Sequence, residues 1–484
     1  MVQPSTEQGR LGKSVGARQF FTLSFGTIIG VGWVIYLGFW LAPSGPVGAI
    51  LGFAAGTLLV ALIGLCYAEM AALFPVSGGE VAYTYANFGL FVSFITGWLL
   101  AFIYTAVTSW EAISLGLIAE NLIPGIQGRA VYEFAGETVY LGGLLLGLGV
   151  MAVFIVLNLR GVKGAAMVQE YMMYAFFAVC IVFIGAAIIM GDVSNLQPAF
   201  RRSETGSIWP AILATFITAP YFLAGFDMIP QVMEEKSPNT PVKVAALMIV
   251  VSVVAAGVFY CVVIFASSMI MPWEQLLEMG ELPAAAAFEA ALGSPFLGKL
   301  IVFAALIGIL TTWNAVIIAA SRVFFALSRA WMIPRFFSSV HPRFGTPTTA
   351  ILLVGFIGGL GVFLGRGGIG PIVNMATMGF ASVFTLVCIG TIRLRVTRPD
   401  AIRPYRVPGG MIVIGLATLG ALSFLLLTIR DLWVNSEGFP LEWSILLSGL
   451  AVGLLFWFIG AKPRAAVSED ERHALIFGSE FKDR

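Results

Sequence analysis

Runs of about 20 residues almost free of charge recur along this chain, and each is long enough to cross a bilayer as a helix. Twelve such runs fall near 17–42, 46–73, 88–121, 139–158, 167–190, 208–232, 242–270, 297–330, 346–365, 370–392, 409–429 and 441–460. A water-soluble fold has no use for so many. Hydrophobic residues make up 59% and charged ones 11%, against roughly 45–50% and 25% in soluble domains. The expected fold class is an all-α membrane protein with twelve transmembrane helices.

Loop charges orient the expected spans. With the N-terminus inside and twelve crossings, the inner loops and tails hold 21 of the 27 Lys and Arg residues and the outer ones 6. That bias predicts a multi-pass protein of the cell (cytoplasmic) membrane with both termini cytoplasmic. The first run follows a polar stretch of roughly 18 residues and is too long for a signal-peptide core, so no cleavable leader is expected. A net charge of +1 gives no footing for a nucleic-acid partner. Cys66, Cys180, Cys261 and Cys388 all fall within expected spans without disulfide or metal spacing. His341 and His473 are the two histidines and both lie outside the spans, which excludes a histidine relay or metal site in the membrane. No cofactor is expected, nor an enzyme: there is no nucleotide loop and no extramembrane segment large enough to hold a catalytic domain.

Two runs are interrupted. The first reads "SFGTIIGVGWVIYLG" and carries Gly26, Gly30, Gly32 and Gly38, each weakening a helix by roughly 1 kcal/mol relative to Ala. The sixth, "ITAPYFLAGFDMIPQVMEE", contains Pro220, Gly225 and Pro230 beside Asp227. In lipid a broken helix survives only where protein or a water-filled cavity satisfies the freed backbone groups. The breaks open spans 1–5 and 6–10, the pattern of inverted-repeat transporters with a midplane site between paired broken helices. Residues 17–190 and 208–392 are then the two repeats. The remainder divides into an N-terminal tail (1–16), a basic loop (393–408), two extra spans (409–460) and a C-terminal tail (461–484).

Unwound glycines let a ligand approach the backbone closely, and freed amides suit an anionic group. Ile29, Gly30, Val31, Gly32 and Trp33 on the first break, and Tyr221, Phe222, Ala224 and Gly225 on the sixth, are the candidate substrate-binding residues. Amides of the first would hold a carboxylate and carbonyls of the sixth an ammonium. For Gly26 and Gly38, close helix packing is the better reading. Tyr221 and Phe222 are balanced between a gate over the substrate and ordinary packing; Tyr104 and Trp313 are weaker aromatic candidates.

Ionisable groups inside spans need a reason, since each disfavours insertion by about 2.5–3.5 kcal/mol or more. Glu111, in "AVTSWEAISLG", reads as a substrate-amine partner or proton carrier, or else as a solvated acid near the membrane edge. Asp227 reads as a gate or coupling residue, or else as a cap on the broken helix. Glu69, Glu234, Glu235 and Arg322 lie near cytoplasmic span ends, where solvated helix ends compete with ion pairs closing an inner vestibule.

At this point the residues resemble the amino acid–polyamine–organocation (APC) superfamily over nearly the whole chain. The first span is similar to its G-x-x-I-G-x-G signature. "YAEMAALFPVSGGEVAYTY" resembles its Y-x-E-L…P-x-x-G-G…Y-x-Y stretch, and "FLAGFDMIPQVMEEKSPNTP" its sixth-span pattern. "NAVIIAASRVFFALSRAWMIPRFFSSVHPRFGTP" is similar to its eighth span and following loop, and "RPDAIRPYRVPGG" to its basic loop before span eleven. The resemblance implies a five-plus-five inverted-repeat fold and transport of amino acids or related amines. This chain departs from the pattern in four places. Val31 stands where many members have Ser or Thr, Trp33 where a smaller residue is common, Phe176 where a fifth-span Lys is frequent, and Ile103 where cationic permeases place an acid. The expected function is secondary transport of a small amino acid or amine, with proton symport through Glu111 or Asp227 favoured. Ion-independent exchange and a carrier-fold sensor are the alternatives.

Overall fold

The computed structural model describes residues 11–202, 206–279, 282–434 and 438–478. The outer parts of both expected tails, 1–10 and 479–484, lie outside the described residues. The chain is overwhelmingly helical. It opens with α1 (Ala17–Ile28), α2 (Gly32–Ile35), α3 (Leu37–Leu73), α4 (Gly79–Phe88) and α5 (Leu90–Leu122). A short hairpin, β1 (Ala130–Phe134) and β2 (Glu137–Tyr140), leads to α6 (Leu141–Leu159) and α7 (Val162–Met190). Then come α8 (Trp209–Phe222), α9 (Met228–Val232), α10 (Val242–Ile270), α11 (Trp273–Leu276), α12 (Pro283–Leu292) and α13 (Pro295–Arg329). The chain closes with α14 (Thr348–Val362), α15 (Ile369–Thr397), α16 (Gly410–Val434), α17 (Leu441–Ile459), α18 (Ala461–Ala465) and α19 (Glu469–Phe477).

Among the described residues, ten helical segments are long and apolar enough to cross a membrane; α8 and α14 are apolar but shorter, at 14 and 15 residues. Burial separates a centre from a periphery. Segment α13 and the α1–α2 region are mostly buried, whereas α6, α7, α16 and α17 leave most of their surface outward, as lipid-facing helices do. Small residues let the central helices approach closely. A Cβ on Gly52 would lie 2.7 Å from the Thr215 Cβ, and one on Gly56 2.6 Å from the Ala219 Cβ, so α3 and α8 pack nearly backbone to backbone.

Two features depart from the all-α expectation. The loop after α5 folds into the β1–β2 hairpin, turned by Ala135 (φ 50°) and Gly136 (φ 79°). Two successive positive φ angles are what a two-residue hairpin loop requires, and the alternation over "AVYEF" is too short to stand out beside helical runs. The boundary between the first two apolar runs is also softer than expected. Residues after α2 re-enter helix at Leu37, and α3 is bent at Gly45 (φ 67°) between Pro43 and Pro46. Proline's missing donor and glycine's tolerance of positive φ together account for that bend.

Candidate functional site

Helical hydrogen bonding stops and resumes in two places that the fold brings together. Between α1 and α2, Ile29 and Gly30 turn back onto Phe25 and Ile28, and the amides of Val31, Gly32 and Trp33 donate to no described residue. Between α8 and α9, residues 223–227 form a turn in which Gly225 has φ 116°. The carbonyls of Phe222, Leu223 and Ala224 accept no bond from a described residue there. The two breaks face each other. A Cβ on Gly225 would lie 2.9 Å from Thr27 Cγ2 and 3.0 Å from Ile28 N, and one on Gly32 2.8 Å from the Phe222 ring. Only residues without side chains fit at these contacts.

A cavity of about 60 Å³ lies between them. Of the residues expected at the site, Gly30, Gly32, Tyr221, Phe222, Ala224, Gly225 and Glu111 line it. Ile29, Val31, Trp33 and Asp227 do not. Trp33 turns away and sits edge-on against Phe176, Phe183 and Phe259, with centroids 6.2, 5.8 and 5.9 Å distant. Phe176, at the position where the family resemblance implies a Lys, is thus part of an aromatic cluster behind α2. Tyr104 lines the wall, whereas Trp313 packs on Phe154, 5.7 Å away.

Several wall residues were not singled out from sequence: Thr27, Trp110, Tyr260, Thr312 and Phe380. Thr312 Oγ1 donates to the Gly26 carbonyl (3.1 Å), and the Tyr260 hydroxyl to that of Ile28 (3.2 Å). Both pin the end of α1 where its own ladder stops. Their sequence contexts offer a faint signal only: a hydroxyl pair in "LTTWN" and a tyrosine among aliphatics.

The two expected acids have different surroundings. Asp227 is buried with both oxygens occupied: Oδ1 accepts from the Gly225 amide (2.9 Å) and Oδ2 from the Tyr104 hydroxyl. Gln231 reaches back to the Asp227 carbonyl (3.0 Å) and across to Glu80 Oε2. Asp227 thereby fixes the α8–α9 turn and ties it to α5 and α4. Glu111 is equally buried, in the interior of α5, and neither of its oxygens has a hydrogen-bond partner among the described residues.

One end of the bundle is held by arginine–carboxylate pairs. Arg322 meets Glu235 (2.8 Å, neither side chain exposed), and Arg329 meets Glu234 (2.8 Å). Glu69 is shared between Arg395 and Arg403 and also accepts from the Val407 amide (2.8 Å). At the opposite end a vestibule of about 810 Å³ includes Tyr36, Ser114, Asn121 and Arg366. Trp110 belongs to both its wall and the cavity's. No group of three or more His, Cys, Asp or Glu side chains among the described residues is placed to hold a metal ion.

Long apolar helices around a small cavity between two interrupted ones define a multi-pass membrane protein that handles a small molecule. Comparison with known proteins gives the family. The sequence profile described as "Amino acid permease" matches residues 16–457. The chain belongs to this permease family, within the APC superfamily. It is similar to the branched-chain amino acid permease BcaP of Bacillus subtilis (strain 168), 27% identical over 476 residues, covering 97% of each chain. It is 26% identical over 466 residues to the methylthioribose transporter of the same organism, covering 95% of each. With the human (Homo sapiens) cystine/glutamate transporter it shares 27% identity over 466 residues, 95% of this chain and 88% of the relative. The family and these relatives are transporters, not enzymes.

Proposed function

We propose that this protein is a secondary transporter of amino acids or related small amines in the cytoplasmic membrane, working by alternating access. The observation that carries the reading is the cavity between the α1–α2 and α8–α9 interruptions, lined by backbone and side chains of both. In this reading the chain crosses the membrane twelve times with both termini cytoplasmic. Residues 17–190 and 208–392 form inverted repeats, each opened by a broken span, and 409–460 adds two further crossings. Rocking of one repeat against the other exposes the cavity to each side in turn. The vestibule is the extracellular approach and Trp110 its floor. The pairs formed by Arg322, Arg329, Arg395 and Arg403 close the cytoplasmic side and must part when it opens.

Protons are the favoured driving ion. Glu111 is the candidate carrier in the wall, and Asp227, held by Tyr104, is the candidate that moves with the α8–α9 turn. Ion-independent exchange is the second reading, supported by the aromatic cluster at Phe176 in place of a basic side chain. Names of the relatives support amino acids as the substrate class, and the methylthioribose transporter widens the panel worth testing.

The deciding experiment reconstitutes the protein in liposomes with an imposed pH gradient and follows uptake of labelled amino acids and amines. Accumulation against the gradient only with inward protons, lost in Glu111→Gln or Asp227→Asn while exchange persists, identifies symport and its carrier. Exchange indifferent to pH and sodium removes the proton from the scheme. Absence of both, with ligand still bound, leaves the sensor.

A further inference from the structure

Five acidic side chains among the described residues are buried: Glu69, Glu80, Glu111, Asp227 and Glu235. Glu69 and Glu235 are matched by arginines at the end of the bundle. Asp227 is satisfied by a hydroxyl and an amide, and Glu80 accepts from Gln231. Glu111 stands apart, with two unpartnered oxygens on a cavity whose wall contains no Lys, Arg or His.

An unpaired carboxylate in a low-dielectric interior carries a desolvation penalty of several kcal/mol, and pairing removes much of it. Much of the wall is suited to the same partner, although Gly30 and Gly32, in the stretch whose free amides suit a carboxylate, also line it. Tyr104, Trp110, Tyr221, Phe222, Tyr260 and Phe380 line the cavity, and aromatic faces attract cations. Ala224 lines the wall, and its carbonyl accepts no bond from a described residue, which leaves it free for an ammonium donor. A zwitterion docked here leaves the site with the net negative charge of Glu111, whereas a monocation brings the sum to zero. The cavity's small volume, about 60 Å³, limits the occupant to a compact molecule.

We propose that Glu111 is the specificity-determining residue of this cavity and selects a compact organic cation, its primary ammonium docked on the Glu111 carboxylate among the surrounding rings. The inference rests on the transport reading and names its substrate class. Charge, rather than side-chain shape, is then the first criterion for entry.

Three compounds of nearly equal size isolate charge: alaninamide (cation), alanine (zwitterion) and lactate (anion). Each is tested for binding to the purified full-length protein and for counterflow in liposomes, with wild type, Glu111→Gln and Glu111→Asp. The expected result is alaninamide bound at least about tenfold more tightly than alanine, lactate unbound, and the preference erased by Glu111→Gln but partly kept by Glu111→Asp. Alanine bound as tightly as alaninamide by wild type overturns the inference without reference to any variant. So does an equal loss for both compounds in Glu111→Gln, which would show that Glu111 does not discriminate by net charge. If zwitterions exchange and alaninamide does not, transport stands and only this inference falls. If no amino acid or amine in a wide panel crosses the membrane, the transport reading fails and this inference with it.

Discussion

Glu111 and Gly225 show how single positions at this site trade stability for binding. The Glu111 carboxyl is buried without a partner, so its presence weakens the ligand-free fold. Glu111→Met, which replaces the unpartnered polar group by an apolar one of similar size, should therefore raise the midpoint of thermal unfolding in detergent, by the equivalent of about 1–3 kcal/mol. A lowered midpoint would mean that the carboxyl is satisfied in the ligand-free protein. Gly225 is constrained from the other direction. Its φ of 116° disfavours any side chain, and a Cβ would meet Thr27 and Ile28 at 2.9–3.0 Å. Gly225→Ala should lose about 1–3 kcal/mol or more and prise the two breaks apart, abolishing substrate binding. Gly149 is the control: it lies within α6 with no atom near its Cβ position, and Gly149→Ala should be neutral or slightly stabilising. Similar effects at both glycines, measured by melting and ligand binding, would count against the packed-break geometry.

Among the elements, interrupted helices were the part of the architecture most open to reading from the chain. Glycine and proline act on their own backbone; Gly30 and Gly225 fall in the non-helical stretches between α1 and α2 and between α8 and α9, Gly32 opens α2 and Pro220 lies in the last turn of α8, and the structure brings the two stretches together around a cavity. Residues contributed by uninterrupted helices were not legible in the same way. Tyr260, Thr312 and Phe380 reach the cavity from α10, α13 and α15, whose apolar sequences look alike on lipid-facing and cavity-facing sides. Trp33 adjoins the glycines in sequence, yet helix rotation turns it away into the cluster with Phe176. The end-on ion pairs fall between these cases: Glu235 and Arg322 could be seen as charges near span ends, but solvation and pairing could not be told apart without tertiary contacts. Once paired and buried, they become testable as one unit. Arg322→Met should cost about 3–5 kcal/mol by stranding Glu235, and the double variant Arg322→Met with Glu235→Met should recover most of that loss. A double-mutant cycle on melting midpoints measures the coupling; additive losses would show that the two side chains act independently.

For the molecule as a whole, the vestibule and the arginine pairs make opposite claims about the two ends, and alternating access requires that they be exchanged. Asn121 is exposed and lines the vestibule. Ser77 is buried at the paired end, its amide donating to Glu234 Oε2 (3.1 Å) and its hydroxyl to the Gln231 carbonyl (3.1 Å). Cysteines placed at these two positions, with the four native cysteines removed, report which end is open through their rates of thiol labelling. Asn121→Cys should label quickly and Ser77→Cys slowly in the resting protein. Glu234→Gln weakens the contact with Arg329 and the hold on Ser77, so it stabilises the state open at that end relative to the one described. Its expected effect is reciprocal: faster labelling of Ser77→Cys and slower labelling of Asn121→Cys. Reciprocity is the informative part, because a local loosening at the arginine-paired end speeds one site and leaves the other unchanged. Only a conformational equilibrium that couples the two ends moves both in opposite senses. A substrate that binds in the central cavity should then shift both rates together, and one that shifts neither does not drive the cycle.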